Sequence, residues 1–407
     1  MKAKAAKVKM ELISMKMDRG SLQMTAHYAL IQVLFNAACA AIFGFSSVYL
    51  RAQGLNDSQI GLVLALGMGV NVVVQPMLGS LADRTHKLSL NQLIVLFYLI
   101  ALVEAVALLP GGLAPVVVAG LFVLLNFVVS ISETFTNSLA MEQVNRGVNL
   151  NFGLARGIGS VGYGAASLLL GKLVATKTES VVMPFVTLFC VLSILALLPF
   201  GRGTKHSKRG EKQALNLLAF IRENRNFCLF VAGVVLMYYS YSVRASYMYQ
   251  IVLSIGGDVA QFGSISAFTA FIELPAMAAY PLLSKRFKTR TIVLFAAVCF
   301  VVRTLVICFA TSMAWIYVSQ AMQMVSYALF IPASVYYVNE LVGEGNRNKG
   351  QTFLGIGQSI SSICASLLGG MMLTAADGDP QKMLLTAAAL STVGVVILFA
   401  VKPPKMG

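Results

Sequence analysis

The sequence predicts an all-α membrane protein of twelve transmembrane helices arranged as two six-helix, pseudo-symmetric bundles. Three observations carry that prediction. The 407 residues are 57% apolar and only 12% charged, whereas soluble domains carry about 25% charged residues. Twelve apolar stretches approach or exceed the roughly 20 residues a helix needs to cross the hydrocarbon core. One long polar interruption, 201–226, divides them six and six.

In chain order the spans are 27–50, 59–81, 89–110, 113–139, 151–175, 180–200, 227–249, 260–283, 291–311, 313–340, 351–374 and 383–401. Residues 1–26, with Lys2, Lys4, Lys7, Lys9, Lys16 and Arg19, read as a basic N-terminal arm, because they lack the apolar core and small-residue cleavage site of a signal peptide. The first bundle takes 27–200. The central loop 201–226 carries Arg202, Lys205, Lys208, Arg209, Lys212, Arg222 and Arg225. The second bundle takes 227–401 and leaves a short tail, 402–407. An even number of spans puts both termini on one side of the membrane.

Positive charge says which side. With both termini inside, the internal segments hold 24 of the 31 Lys and Arg, and the external loops hold Arg51, Lys172, Lys177 and Lys382. That asymmetry satisfies the positive-inside rule and predicts a multi-pass protein of the cytoplasmic membrane with both termini cytoplasmic. The same distribution excludes nucleic acid as a partner, since the basic residues are spread over every internal loop instead of forming one face with interleaved aromatics. The six cysteines lie in or beside apolar stretches without CxxC spacing, and there are three histidines. Neither a disulfide framework nor a metal site follows, and no cofactor is expected.

The halves echo one another. Span 2 ends Gln75-Pro76-Met77-Leu78-Gly79-Ser80, and span 8 ends Tyr280-Pro281-Leu282-Leu283-Ser284. Span 5 carries Gly157-Ile158-Gly159 followed by Ser167-Leu168-Leu169-Leu170-Gly171, and span 11 carries Gly355-Ile356-Gly357 followed by Ser366-Leu367-Leu368-Gly369. Repeated six-span halves are the pattern of secondary transporters, whose substrate site lies near the midplane between the repeats.

After span 2, Gly79-Ser80-Leu81-Ala82-Asp83-Arg84-Thr85-His86-Lys87 resembles the loop motif of the major facilitator superfamily. The resemblance implies the major facilitator fold, with Gly79, Asp83 and Arg84 as a cytoplasmic gating motif; the plainer reading is an ordinary basic internal loop. Asn151-Phe152-Gly153-Leu154-Ala155-Arg156-Gly157-Ile158-Gly159-Ser160-Val161-Gly162-Tyr163 is similar to span 5 of the oligosaccharide:proton symporters, lactose permease among them. The stretch Arg303 to Ser312 resembles span 9 of that family, and Gln75-Pro76 its span 2. By this resemblance Arg156 matches the arginine that binds sugar hydroxyls, Tyr163 replaces the tryptophan on which the sugar stacks, and Arg303 matches the arginine of the proton-coupling network. Ser138, Ala270, Gln320, Gln323 and Ser326 stand where the family has its sugar-binding, span 8 and span 10 ionisable residues.

The residues read alone supply replacements. An ionisable group inside a span is costly and by default functional, and the interiors of the spans, away from their ends, hold only Glu104, Glu133, Glu273, Arg156, Arg244 and Arg303. Asn126, Ser130, Glu133 and Asn137 form one polar stripe on span 4. Glu273 lies about one turn beyond the missing span 8 glutamate. For both glutamates a role in the cavity stands beside a buried structural ion pair. Glu104 has apolar neighbours, and a pairing with an arginine stays open. Arg156 and Tyr163, seven residues apart, lie about 20° apart around a helix, so both can face one cavity. Span 7 gathers Tyr238, Tyr239, Tyr241, Arg244, Tyr247 and Tyr249; tyrosines suit a polyhydroxylated or aromatic ligand, and an interfacial aromatic belt is the competing reading for Tyr247 and Tyr249. Gln320, Gln323 and Tyr327 share a face of span 10. The span 5 glycines read as tight helix packing.

The expectation is a monomeric, non-enzymatic secondary transporter that moves a small hydrophilic solute, a sugar or glycoside, by alternating access with proton symport. Arg156, Tyr163, Asn137, Tyr241, Gln320 and Gln323 are the substrate-binding candidates, and Glu133, Glu273, Arg244 and Arg303 the proton-coupling candidates. A nucleoside, aromatic-acid or drug transporter of the same fold, and more remotely a non-transporting receptor, are the alternatives.

Overall fold

The computed structural model describes residues 19–84, 89–145, 150–200, 222, 224–343 and 346–402. Ten helices among them are long and apolar enough to cross a membrane. The other two expected spans differ in instructive ways. Span 2 is the helix Asp57–Arg84, whose side chains are described as far as Val72. Span 10 is two helices, Met313–Ala321 and Tyr327–Val342, with a turn at 322–326 between them.

Span 1 starts earlier than its hydropathy indicates. The helix begins at Arg19 and runs to Cys39, because Ser21 and Thr25 are buried and Thr25 Oγ1 accepts from the Asn151 amide at 3.2 Å. A π-helical turn, Ala40–Gly44, and a short helix, Ser46–Ala52, complete the crossing. Spans 3 to 6 are Leu90–Ala107, Pro115–Asn145, Phe152–Thr176 and Val182–Leu197. Spans 7, 8 and 9 are Arg225–Ser254, Val259–Leu283 and Thr289–Cys308. Spans 11 and 12 are Arg347–Ala375 and Gln381–Ala400. Large apolar side chains such as Val103, Val116, Val396 and Phe399 stand exposed on the outside, where lipid, not water, is their solvent.

Within the first half span 1 packs on spans 5 and 6, and span 3 on spans 4 and 6; within the second, span 7 packs on spans 11 and 12, and span 9 on spans 10 and 12. The halves meet mainly through two helix pairs, span 2 with span 11 and span 5 with span 8, with a smaller contact between spans 1 and 7. The span 5 and span 8 pair is tightest at the end of the molecule away from the termini. A Cβ built on Gly171 would stand 2.9 Å from the Gly263 Cα. Moving toward the terminal end, one on Gly164 would stand 3.0 Å from the Phe271 ring and one on Gly157 3.8 Å from Leu274, while Gly153 meets nothing from span 8. The two helices therefore diverge toward the termini. Gly61 and Gly370 likewise abut the backbones of Ser366 and Asp57 at the far end. Small residues permit this closeness.

Hydrogen bonds reinforce the far-end closure. Gln250 donates to Asp57 Oδ1 at 3.0 Å across the halves, Ser58 donates to Thr374 Oγ1 at 2.8 Å, and Ser47 donates to the Ser246 carbonyl at 2.9 Å. Arg51 lies 3.7 Å from Asp57.

Candidate functional site

Between the halves, above this seal, lies a cavity of about 380 Å³. Spans 1 and 5 contribute Asn36, Phe43, Gly44, Ser160 and Tyr163; span 7 contributes Tyr241, Arg244 and Met248. Span 8 adds Phe262, Ile265, Thr269 and Glu273, span 9 adds Arg303, and span 10 adds Gln320 and Gln323. The volume lies within the few hundred to one thousand cubic ångströms usual for small-molecule sites.

The helix breaks shape this wall. Gln323 sits in the span 10 turn, where the Ala328 amide reaches back five residues to the Gln323 carbonyl at 3.0 Å and the Gln323 amide bonds Gln320 O at 2.9 Å. Irregular backbone at membrane depth survives where it is buried in protein or lines a cavity. Both glutamines address one guanidinium: Arg303 Nη1 donates to Gln323 Oε1, and Nη2 donates to Gln320 Oε1 at 2.5 Å. Gln323 Nε2 in turn donates to Glu273 Oε1, and Thr269 donates to Gln320 Oε1 at 3.2 Å. Arg303, Gln320, Gln323 and Glu273 thus form one connected chain. Four of the predicted site residues are brought together here, although Ser326, also in the turn, is turned inward and donates to the Met322 carbonyl at 2.7 Å.

Arg244 is the other cavity cation. It is only 2% exposed, and Nη1 donates to Thr304 Oγ1. Its Nε and Nη2 have no hydrogen-bond partner. Tyr241 stacks on Tyr327 with centroids 4.4 Å apart and planes at 6°, and Tyr238 tilts against Tyr241 at 4.9 Å. The aromatic-belt reading of Tyr247 does not hold. Tyr247 is fully buried at a local break in the helix (φ −123°, ψ 18°), and its hydroxyl donates to the Ser366 carbonyl beside the far-end seal. Tyr249 is half-buried and packs edge-on against Phe262.

The first-half candidates divide. Tyr163 lines the cavity, and its hydroxyl lies against Gly44, where a Cβ would stand 2.8 Å away. Arg156 does not line it. Seven residues give the correct helical face but also carry Arg156 about 10 Å along the axis toward the terminal end. There its Nη2 lies 3.9 Å from Glu133 Oε1, with side chains 58% and 47% exposed. Asn137 also stands outside the cavity, accepting from Gln32 at 3.5 Å, while Gln32 donates to the Tyr28 hydroxyl at 2.6 Å. Glu104 is buried, and its Oε2 has no partner. The span 4 stripe is a structural rail at its start: Asn126 is buried over Gly67, and Ser130 donates to the Asn126 carbonyl. Gly159 and Gly162 press on span 1, as helix-packing glycines do. Gly79, Asp83 and Arg84 belong to the span 2 helix, but their side chains, and residues 85–88, lie outside the described residues.

Asn36, Thr269 and Met248 are cavity residues that sequence reasoning did not single out. Gln32 and Asn36, four apart on span 1, and Thr269 and Glu273, four apart on span 8, were a readable signal of polar faces.

The profile of the MFS_1 like family matches residues 25–380. The chain is 27% identical over 352 residues to a maltose permease of Geobacillus stearothermophilus, covering 85% of this chain and 87% of that protein. It is 26% identical over 330 residues to a probable 3-phenylpropionic acid transporter of Escherichia coli (strain K12), covering 78% and 83%. The crystal structure of the nucleoside transporter NupG superposes with a TM-score of 0.80 at 15% identity, over 94% of this chain and 99% of that one.

Proposed function

The chain belongs to the MFS_1 like family of multi-pass membrane transporters, and from that premise we propose that it moves a small solute, symported with a proton, by alternating access through the cavity between its halves. It is not an enzyme. The observation that carries the proposal is the asymmetry of the span 5 and span 8 pair, backbone against backbone at Gly171 and Gly263 and apart at Gly153, around a cavity lined by both polar and apolar side chains. Rocking the halves about that cavity would open the far end and close the other. With the termini cytoplasmic, as the positive-inside distribution favours, this is the inward-facing state of a monomer in the cell membrane.

Glu273 is the proton carrier in this reading. Among the described residues it is the one carboxylate on the cavity wall, and protonation would change what it accepts from Gln323 and hence how Gln323 and Gln320 hold Arg303. Glu133 and Arg156 form a pair at the terminal-side mouth that solute meets on release. A sugar or glycoside fits the hydroxyl and amide donors of Tyr163, Gln320 and Gln323, and the maltose permease relative supports it. The stacked Tyr241 and Tyr327 favour a second reading, an aromatic acid or nucleoside, which the phenylpropionic acid and nucleoside transporters support.

Purified protein in sealed vesicles tests the proposal. A labelled panel of sugars, glycosides, nucleosides and aromatic acids is offered with and without an imposed proton gradient. Accumulation of one class, abolished by a protonophore, is expected. Facilitated entry that ignores the proton gradient would overturn symport, and entry of no solute would overturn transport through this cavity.

A further inference from the structure

The wall of the cavity is unequal in charge. Among the described residues, two guanidiniums, Arg244 and Arg303, face it with one carboxylate, Glu273, and that carboxylate is already engaged by Gln323. The Glu133–Arg156 pair lies outside and does not alter the balance.

The two arginines differ in what they have left to give. In a guanidinium, Nε and Nη2 share one edge of the plane, the edge that grips a carboxylate through two parallel hydrogen bonds. Arg303 has spent Nη2 on Gln320 and Nη1 on Gln323, which leaves its buried Nε alone without a partner and no free pair of donors on one edge. Arg244 has spent Nη1 alone, on Thr304, so that both donors of its gripping edge are buried and unpartnered. Among the described residues no carboxylate stands within ion-pair distance of it. Buried donors without acceptors are costly, and an uncompensated buried cation more so. A site that keeps such a group gains from a ligand that completes it.

We propose that Arg244 is the anchor of an anion site: the transported solute is a small organic carboxylate, held bidentate by Arg244 Nε and Nη2, with its body against Phe43, Phe262, Ile265 and Met248. Three of those four are large apolar side chains and the fourth is a thioether, all lining the same cavity, which suits a compact apolar or aromatic body better than a bare inorganic anion. This rests on the transport reading above, since it places the charge of the solute in that same cavity.

The test is thermal unfolding of the purified full-length protein with matched probe pairs: galacturonate against galactose, 4-hydroxybenzoate against 4-hydroxybenzamide, and phenylacetate against phenylacetamide. A ligand that binds only the folded state raises its apparent stability. At least one carboxylate should shift the wild-type transition with concentration while its neutral partner does not. Arg244→Gln should weaken that carboxylate roughly 10- to 100-fold, the usual worth of a charge-assisted pair, and Arg244→Lys, which keeps charge but not the fork, should lie between. Elution as a single species on size exclusion establishes that each variant is folded. A variant that does not fold is replaced by Thr304→Val, which frees Nη1 and should leave the preference for carboxylate in place. The proposal is overturned if no carboxylate shifts the transition, if the neutral partner does so equally, or if Arg244→Gln keeps the response. Galactose binding at full strength in Arg244→Gln would overturn the anion site and leave solute transport standing.

Discussion

Arg303 and Glu273 are linked through a third side chain: the Gln323 amide accepts from the guanidinium at Oε1 and donates to the carboxylate at Nε2. A proton placed on Glu273 is thereby felt at Arg303 without an ion pair being broken, and Gln320, on the same guanidinium, carries the change to span 10. Glu273→Gln should therefore exchange solute across the membrane but fail to accumulate it, because exchange needs only the loaded conformational change whereas accumulation needs proton release. Counterflow compared with gradient-driven uptake in vesicles measures this. Full accumulation by the variant would make Glu273 structural.

Glu133→Gln separates the second glutamate. At 3.9 Å and about half exposed, its pair with Arg156 contributes under about 1 kcal/mol to stability, so the variant should unfold within a few degrees of the parent. If the pair guards the mouth, the solute release rate should change while accumulation persists. Loss of accumulation with normal Glu273 would transfer the proton to Glu133.

At position 163 the ring and the hydroxyl can be told apart. Tyr163→Phe should retain most solute affinity, and Tyr163→Ala little, if the ring is a stacking platform. Gly44→Ala offers an independent route to the same ring, since a Cβ there would stand 2.8 Å from the Tyr163 hydroxyl and must displace it. Equal binding by the Phe and Ala variants would point to packing.

Gly171→Leu should prevent closure of the far end, where a Cβ alone would meet Gly263. The expected protein inserts normally, binds solute from the far side and does not transport. A single introduced cysteine on the cavity wall, labelled by an impermeant reagent from each side in turn, reads which end is open. Unchanged transport would mean that spans 5 and 8 do not seal the pathway.

The spans were legible because the hydrocarbon imposes one demand, length in apolar residues, that a linear sequence displays directly. The break at 322–326 was not. Met322, Met324 and Val325 are compatible with a continuous apolar helix, and the nearest punctuation, Pro332, lies downstream inside the second piece. The side chains at the turn find their partners on other spans, Gln323 on Arg303 and Glu273, and such tertiary contacts are not displayed by a linear sequence. The site shows the same division. Spacing conveys helical angle but not depth, and of Arg156 and Tyr163 only Tyr163 lines the cavity. Tyr247 resembled a belt tyrosine because its position near a span end is visible in the sequence, and its partner Ser366 is not.

The count of charges on the cavity wall has an electrical consequence. With Glu273 ionised the described residues of the wall carry one net positive charge, from Arg244, Arg303 and Glu273. If the solute brings a carboxylate and Glu273 takes a proton, the loaded wall carries one net positive charge again, so outward and return strokes move equal charge and voltage does no net work over a cycle. A neutral sugar with one proton would load the wall to two and make the cycle electrogenic. Solute-evoked current on a protein-loaded capacitive membrane would therefore be absent for a carboxylate cargo and present for a sugar, and the identity of the cargo could be sorted by a current before any chemical assay names it.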